Sequence, residues 1–184
     1  MMKLISRLYL WLTGWQLVGE IPPEVKKCVL IAVPHTSNYD FPIARAMLYV
    51  LNVNLRYTIK QEWMAFPLGW FFKATGAIGV NREKSSNLVE ALISIINDAD
   101  EMVMVIPPEG TRKLVRKWKL GFYHVAVGAG VPIVMAFLDY KKKIGGIGPL
   151  FYPTGNLEED MQHIREFYKN IIPKHPENCC LDIL

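Results

Sequence analysis

The hydrophobic positions alternate between short unbroken apolar runs and stretches with helical spacing. Runs at 27–33, 55–60, 77–80, 102–106 and 132–138 predict strands. The continuous run Cys28-Val29-Leu30-Ile31-Ala32-Val33 has the character of a strand buried on both faces. Between the runs, helices are expected near 40–51, 87–98 and 120–129, with short helices in the Trp/Phe-rich segment 62–75. In the 87–98 helix, Asn87 and Glu90 form a capping box, and Leu88, Val89, Leu92, Ile93, Ile95 and Ile96 face the core. Gly130 and Pro132 end the next one. Asn156 opens a last helix, with Glu158, Glu159 and Asp160 in its positive first turn and Met161, Ile164, Tyr168 and Ile171 on its buried face. Lys141 to Tyr152 reads as a Gly-interrupted hairpin or edge pair, and residues 173–184 as a loose tail.

Strands alternating with amphipathic helices predict an α/β fold: a mostly parallel central sheet flanked by helices. Residues 2–15 add an N-terminal amphipathic helix, in which Leu4, Ile5, Leu8, Trp11, Leu12 and Trp15 make one stripe, with Lys3 and Arg7 off it. That stripe suits either a membrane interface or packing on the domain. The expected organisation is therefore this helix at 1–15 and one domain at 16–184, without repeat, low-complexity segment or linker.

Composition narrows the function classes. The 184 residues are 51% hydrophobic, enough for a core and against disorder. Net charge is +4 (21 basic against 17 acidic residues), which suits anionic partners such as phosphates, CoA or acidic lipid surfaces. A basic stripe with a nucleic-acid-binding motif is missing, so no nucleic acid is expected. Three cysteines and four scattered histidines give no metal or disulfide framework, and reduced thiols imply a cytoplasmic setting. Neither a transmembrane run nor a signal-peptide pattern is read at the start.

The chemistry concentrates at predicted strand ends, where open α/β sheets bind ligands. His35-Thr36-Ser37-Asn38-Tyr39-Asp40 follows the first apolar strand. If the chain turns sharply there, the Asp40 carboxylate meets the His35 imidazole and orients it as a general base. Glu109-Gly110-Thr111-Arg112 follows a second apolar strand, and Lys60 and Arg82 also sit at or beyond strand ends. Backbone N–H groups around Gly110, or at the helix start after His35, could hold an oxyanion. Lys113, Arg116, Lys117 and Lys119 read either as a solvated face or as a site for headgroup or CoA phosphates. Trp63, Phe66, Pro67, Leu68, Trp70, Phe71 and Phe72 could line an acyl channel, lie on a membrane or join the core.

Taken together, these residues resemble the lysophosphatidate acyltransferase family of glycerolipid acyltransferases. His35 to Asp40 matches its H-x-x-x-x-D motif, Gly76 to Arg82 its Gly-x-x-x-x-x-Arg, Glu109 to Arg112 its Glu-Gly-Thr-Arg, and Val131-Pro132-Ile133-Val134 its last motif. The resemblance covers roughly residues 28–138. It implies transfer of a fatty acyl group from acyl-CoA or acyl carrier protein to the hydroxyl of a lysolipid, in phospholipid biosynthesis, without a covalent acyl-enzyme. His35, Asp40 and Glu109 would be the catalytic group. Lys60, Arg82, Gly110, Thr111 and Arg112 would bind substrate. No cofactor or metal is implied. The partners would be the membrane surface, the lysolipid and the acyl donor, with the protein peripheral on the inner face of the cell membrane. Met135-Ala136, Lys113 and Gly79 depart from the family's usual residues. They leave the acceptor open between lysophosphatidate and another lyso-lipid, such as an amino-acid lipid. A non-catalytic lipid-binding relative is the other alternative.

Overall fold

The computed structural model describes residues 1–65, 67, 69–80 and 88–179. In chain order the elements are α1 (Met2–Thr13), β1 (Gln16–Val18), β2 (Lys27–Ala32), α2 (Asp40–Val50), β3 (Leu55–Lys60), α3 (Gly69–Ala74), β4 (Ala77–Val80), α4 (Leu88–Asp98), β5 (Met102–Val105), α5 (Gly121–Ala129), β6 (Ile133–Asp139), β7 (Ile144–Phe151) and α6 (Leu157–Tyr168). Single 3₁₀ turns occupy Gln61–Met64 and Pro176–Asn178. The strands form one sheet in the order β1-β7-β6-β2-β5-β3-β4. From β6 to β4 all neighbours are parallel, whereas β7 runs antiparallel to β6 and β1 follows β7. The fold is the expected α/β type.

Side-chain alternation along β2 builds two cores at once. Val29 and Ile31 join Met104, Ile133 and Met135 in a cluster closed by α4, α5 and α6. Cys28 and Leu30 point the other way, toward Leu48 of α2 and Leu51 just past its end. Right-handed crossovers account for this division. The connections β2-α2-β3 and β3-α3-β4 advance across the sheet, while β4-α4-β5 and β5-α5-β6 return, so their helices cover opposite faces. Helix α1 packs on α2 through Leu10, beside Ile43, Ala46 and Met47.

Several details differ from the pattern. Strand β1 has only three residues, too few to show a period, and was not expected. The 141–152 segment is one eight-residue strand, β7, rather than a hairpin or edge pair, because β1 covers its outer edge. That pairing is close: a Cβ at Gly146 would collide with the Val18 carbonyl, and one at Gly19 with the Ile147 carbonyl. Trp15 lies beyond α1, which Gly14 ends in the left-handed region at φ 73. It is buried against Tyr140 instead of extending the helical stripe. Asn156 precedes α6 but its side chain caps nothing; the buried Asp160 accepts the Thr154 and Gly155 N–H groups and the Tyr123 hydroxyl. The Asn87 half of the capping box and residues 180–184 of the tail lie outside the described residues. The tail from 173 to 179 is not loose: the His175 N–H donates to Thr36 Oγ1.

Candidate active site

β2 ends at Ala32, and the chain turns through Val33-Pro34-His35 into α2, whose first residue is Asp40. The turn closes on the Asp40 carboxylate. Oδ2 accepts from His35 Nδ1 at 2.9 Å, Thr36 N–H at 3.0 Å and Ser37 N–H at 2.9 Å. Oδ1 accepts the Tyr140 hydroxyl at 2.6 Å. Burial alone would raise this carboxyl's pKa, but the bonds from His35, Tyr140 and Ser37 outweigh it and hold the pKa below the usual carboxylate range. Asp40 therefore stays ionised and fixes the imidazole, while His35 Nε2 has no partner among the described residues.

Glu109 approaches from the end of β5. It is buried, and its Oε2 accepts the His35 backbone N–H at 2.7 Å. It thus pins the main chain of the histidine and has no arginine partner among the described residues. Burial pushes its pKa up to about 7, against the lowering effect of the His35 N–H. Gly110 turns at φ 64, with the Lys119 side chain alongside. The helix-start N–H groups of Thr36, Ser37, Tyr39 and Asp40 are all engaged within the turn, so they are not open to an oxyanion. Those of Gly110, Thr111 and Arg112 make no hydrogen bond among the described residues.

An apolar cavity of about 440 Å³ runs between α2 and the sheet. His35, Asp40 and Arg112 line it together with Leu30, Leu48 and Leu55. Its size lies within the ~300–1,000 Å³ usual for small-ligand sites. The structure thus brings His35, Asp40, Glu109 and Arg112 to one place. Thr111 is exposed, its Oγ1 accepting the Lys113 N–H, and Lys60 is exposed outside the cavity wall. Arg82 lies outside the described residues. Of the aromatic segment, Trp63, Trp70 and Phe71 are exposed, not core; Phe66 and Leu68 are outside the described residues. Trp118 is buried against Tyr168 and Phe122, amid exposed basic neighbours.

Sequence reasoning missed Tyr140. It follows β6, whose end lies beside that of β2, so the strand-end rule that flags His35 and Glu109 would have flagged it too. Trp15 packs edge-on against the Tyr140 ring at 5.0 Å, and the Tyr140 main-chain N–H donates to the Ile172 carbonyl, just before the tail, at 2.8 Å. The N-terminal segment and the chain just before the tail both buttress the residue that holds Asp40.

The family model described as Acyltransferase matches residues 17–137. A curated 1-acyl-sn-glycerol-3-phosphate acyltransferase of Haemophilus influenzae is 32% identical over 70% of this chain. The chain spans 55% of that relative's length. The crystal structure of the 1-acyl-sn-glycerophosphate (LPA) acyltransferase PlsC from Thermotoga maritima superposes with a TM-score of 0.63 at 16% identity, covering 91% of this chain and 75% of that one. At that identity the likeness is one of fold. Tyr140 and the tail fall beyond the residues that the family model matches.

Proposed function

Because the chain belongs to the Acyltransferase family, we propose that it transfers a fatty acyl group from a thioester, acyl-CoA or acyl carrier protein, to the hydroxyl of a lysolipid of the lysophosphatidate type. One observation carries this reading: the His35–Asp40 pair at 2.9 Å lies in the wall of the apolar cavity, with Nε2 unengaged among the described residues. The acyl chain occupies the cavity, which brings the thioester carbonyl to His35. The acceptor hydroxyl gives its proton to Nε2 as its oxygen attacks that carbonyl. Asp40 stabilises the imidazolium that forms. The tetrahedral oxyanion meets the unengaged N–H groups at 110–112. The intermediate then collapses to the ester, the C–S bond breaks, and the thiolate takes the proton back from His35. Arg112, at the cavity, receives the acceptor's phosphate. Glu109 keeps His35 in place through its main chain, and Arg82 and Lys60 stay assigned to substrate binding on resemblance alone.

The protein acts from the membrane surface. No helix of the described residues is long and apolar enough to cross a membrane. Helix α1 nevertheless turns Leu4, Leu8 and Trp11 outward, at 70%, 55% and 75% exposure. A stripe this bare suits a bilayer interface, with Lys3 and Arg7 near the headgroups.

The test is thiol release by the purified protein from acyl-CoA or acyl carrier protein, with lysophosphatidate and other lyso-lipids, amino-acid lipids among them, as acceptors. Turnover that falls by ~10²–10⁴ in His35→Ala is the expected result. Undiminished turnover in that variant sinks the mechanism. Tight lysolipid binding without turnover for any pair would instead make the protein a binder.

A further inference from the structure

A second cavity of about 440 Å³ lies where α2 and α3 end and β3 begins. It lies at the amino ends of the parallel strands and adjoins the apolar cavity across the shared Arg45, Leu48 and Leu55; Arg56 and Lys73 line only this pocket, and the reaction above makes no use of them. Arg45, Arg56 and Lys73 line it, with Asn52 and Asn54, and no carboxylate does. None of the three cations has an ion pair among the described residues. Arg45 stacks on the Tyr49 ring at 4.5 Å and donates to its hydroxyl, but its Nε is buried without a hydrogen-bond partner among the described residues. An N–H in that state is one that an incoming acceptor would satisfy. The carboxyl ends of two helices also point here. Each contributes about half a negative charge at most, against three full positive charges, so the pocket remains cationic. Trp70 and Phe71 are exposed on α3 beside Lys73, and Trp63 is exposed on the preceding turn. Aromatic rings next to cations match the water–lipid boundary, where phosphates lie just outside the apolar layer.

We propose that this pocket binds the phosphate of an anionic phospholipid headgroup, from a lipid that is neither acceptor nor product, and so orients the protein on the bilayer. The proposal rests on the membrane-surface reading above and adds a specific lipid site to it. The experiment measures partition of the full chain onto phosphatidylcholine vesicles with and without phosphatidylglycerol. Arg56→Gln/Lys73→Gln should lower partition onto the anionic vesicles about tenfold. It should leave binding to pure phosphatidylcholine, and turnover of detergent-dispersed substrate, unchanged. Arg165→Gln/Lys169→Gln, at the carboxyl end of α6 across the sheet, removes the same charge and should change partition by about twofold at most. Equal losses in the two pairs mean diffuse attraction and overturn the site. If wild type binds neither vesicle, the membrane-surface reading fails by itself. Calorimetric titration with water-soluble dibutyroyl phosphatidylglycerol then decides the pocket: binding that disappears in Arg56→Gln/Lys73→Gln sustains it, and no binding overturns it. Inorganic phosphate that binds as tightly as this soluble lipid would overturn the headgroup assignment.

Discussion

Helices α1 and α6 are each twelve residues long and each carry an apolar stripe, yet only α6 buries it. Met161, Ile164 and Tyr168 are sealed into the core behind the sheet, whereas Leu4, Leu8 and Trp11 face outward in front. The two faces of the sheet repeat this contrast. Behind it, α4, α5 and α6 form a closed apolar layer. In front, α1, α2 and α3 leave a cavity, a cationic pocket and exposed aromatic rings. One face is packed shut, and the other is left open.

Variants on either face can break this contrast. The largest effect belongs to the front. His35→Ala should lower kcat/KM by ~10²–10⁴, about 3–5 kcal/mol of transition-state stabilisation, with an unchanged melting temperature; a large fall in Tm would show that the dyad also holds the fold. Behind the sheet, Ile164→Ala should cost about 2–5 kcal/mol in urea unfolding. Turnover per folded molecule should survive, and its loss would erase the division of labour.

Glu109 sits at the boundary, and its test is pH. A carboxyl raised from 4.5 to about 7 by burial binds more protons folded than unfolded, so stability falls as pH rises through that window. The change is about 3 kcal/mol between pH ~4.5 and ~7. Glu109→Gln keeps an oxygen for the His35 N–H and should remove that slope; a persistent slope would assign it to another group. Asp40 acts with the opposite sign. Its lowered pKa gives stability that is present above the ordinary carboxylate range and is lost as pH falls through the depressed value.

A smaller loss, roughly 1–2 kcal/mol, is expected for Tyr140→Phe, which strips one hydrogen bond from Asp40. With that oxygen bare, more of the carboxylate's charge acts on the imidazole. The acid limb of the kcat/KM profile should then move to higher pH, by about one unit at most. A purely structural tyrosine would leave the limb in place. Least of all, Leu8→Ser/Trp11→Ser on α1 should change unfolding by about 0.5 kcal/mol or less while reducing vesicle binding. Removing residues 1–15 outright would be a poorer test, because Leu10 and Trp15 are buried in the α1–α2 cluster. A large stability loss in the double variant would make α1 a packed helix like α6.

Much of this protein is written locally. Strands 55–60 and 77–80 occupy the spans their apolar runs mark, and α6 buries the face its spacing selects. His35 and Asp40 meet because five residues at a strand-to-helix turn suffice to bring them together. Sequence periodicity determines such features because each depends on neighbours within one or two turns. Only tertiary structure decided the rest. Asp40 and Tyr140 are one hundred residues apart and meet because β6 ends beside β2. β1 exists because β7 offers it an edge, and the segment around Ile172 and His175 is held because the 36–40 turn and Tyr140 receive it. The stripe on α1 looks the same in sequence whether protein or lipid is to cover it, since burial of apolar area has no direction. Which stripe stays bare is set by how the helices share a sheet with two faces.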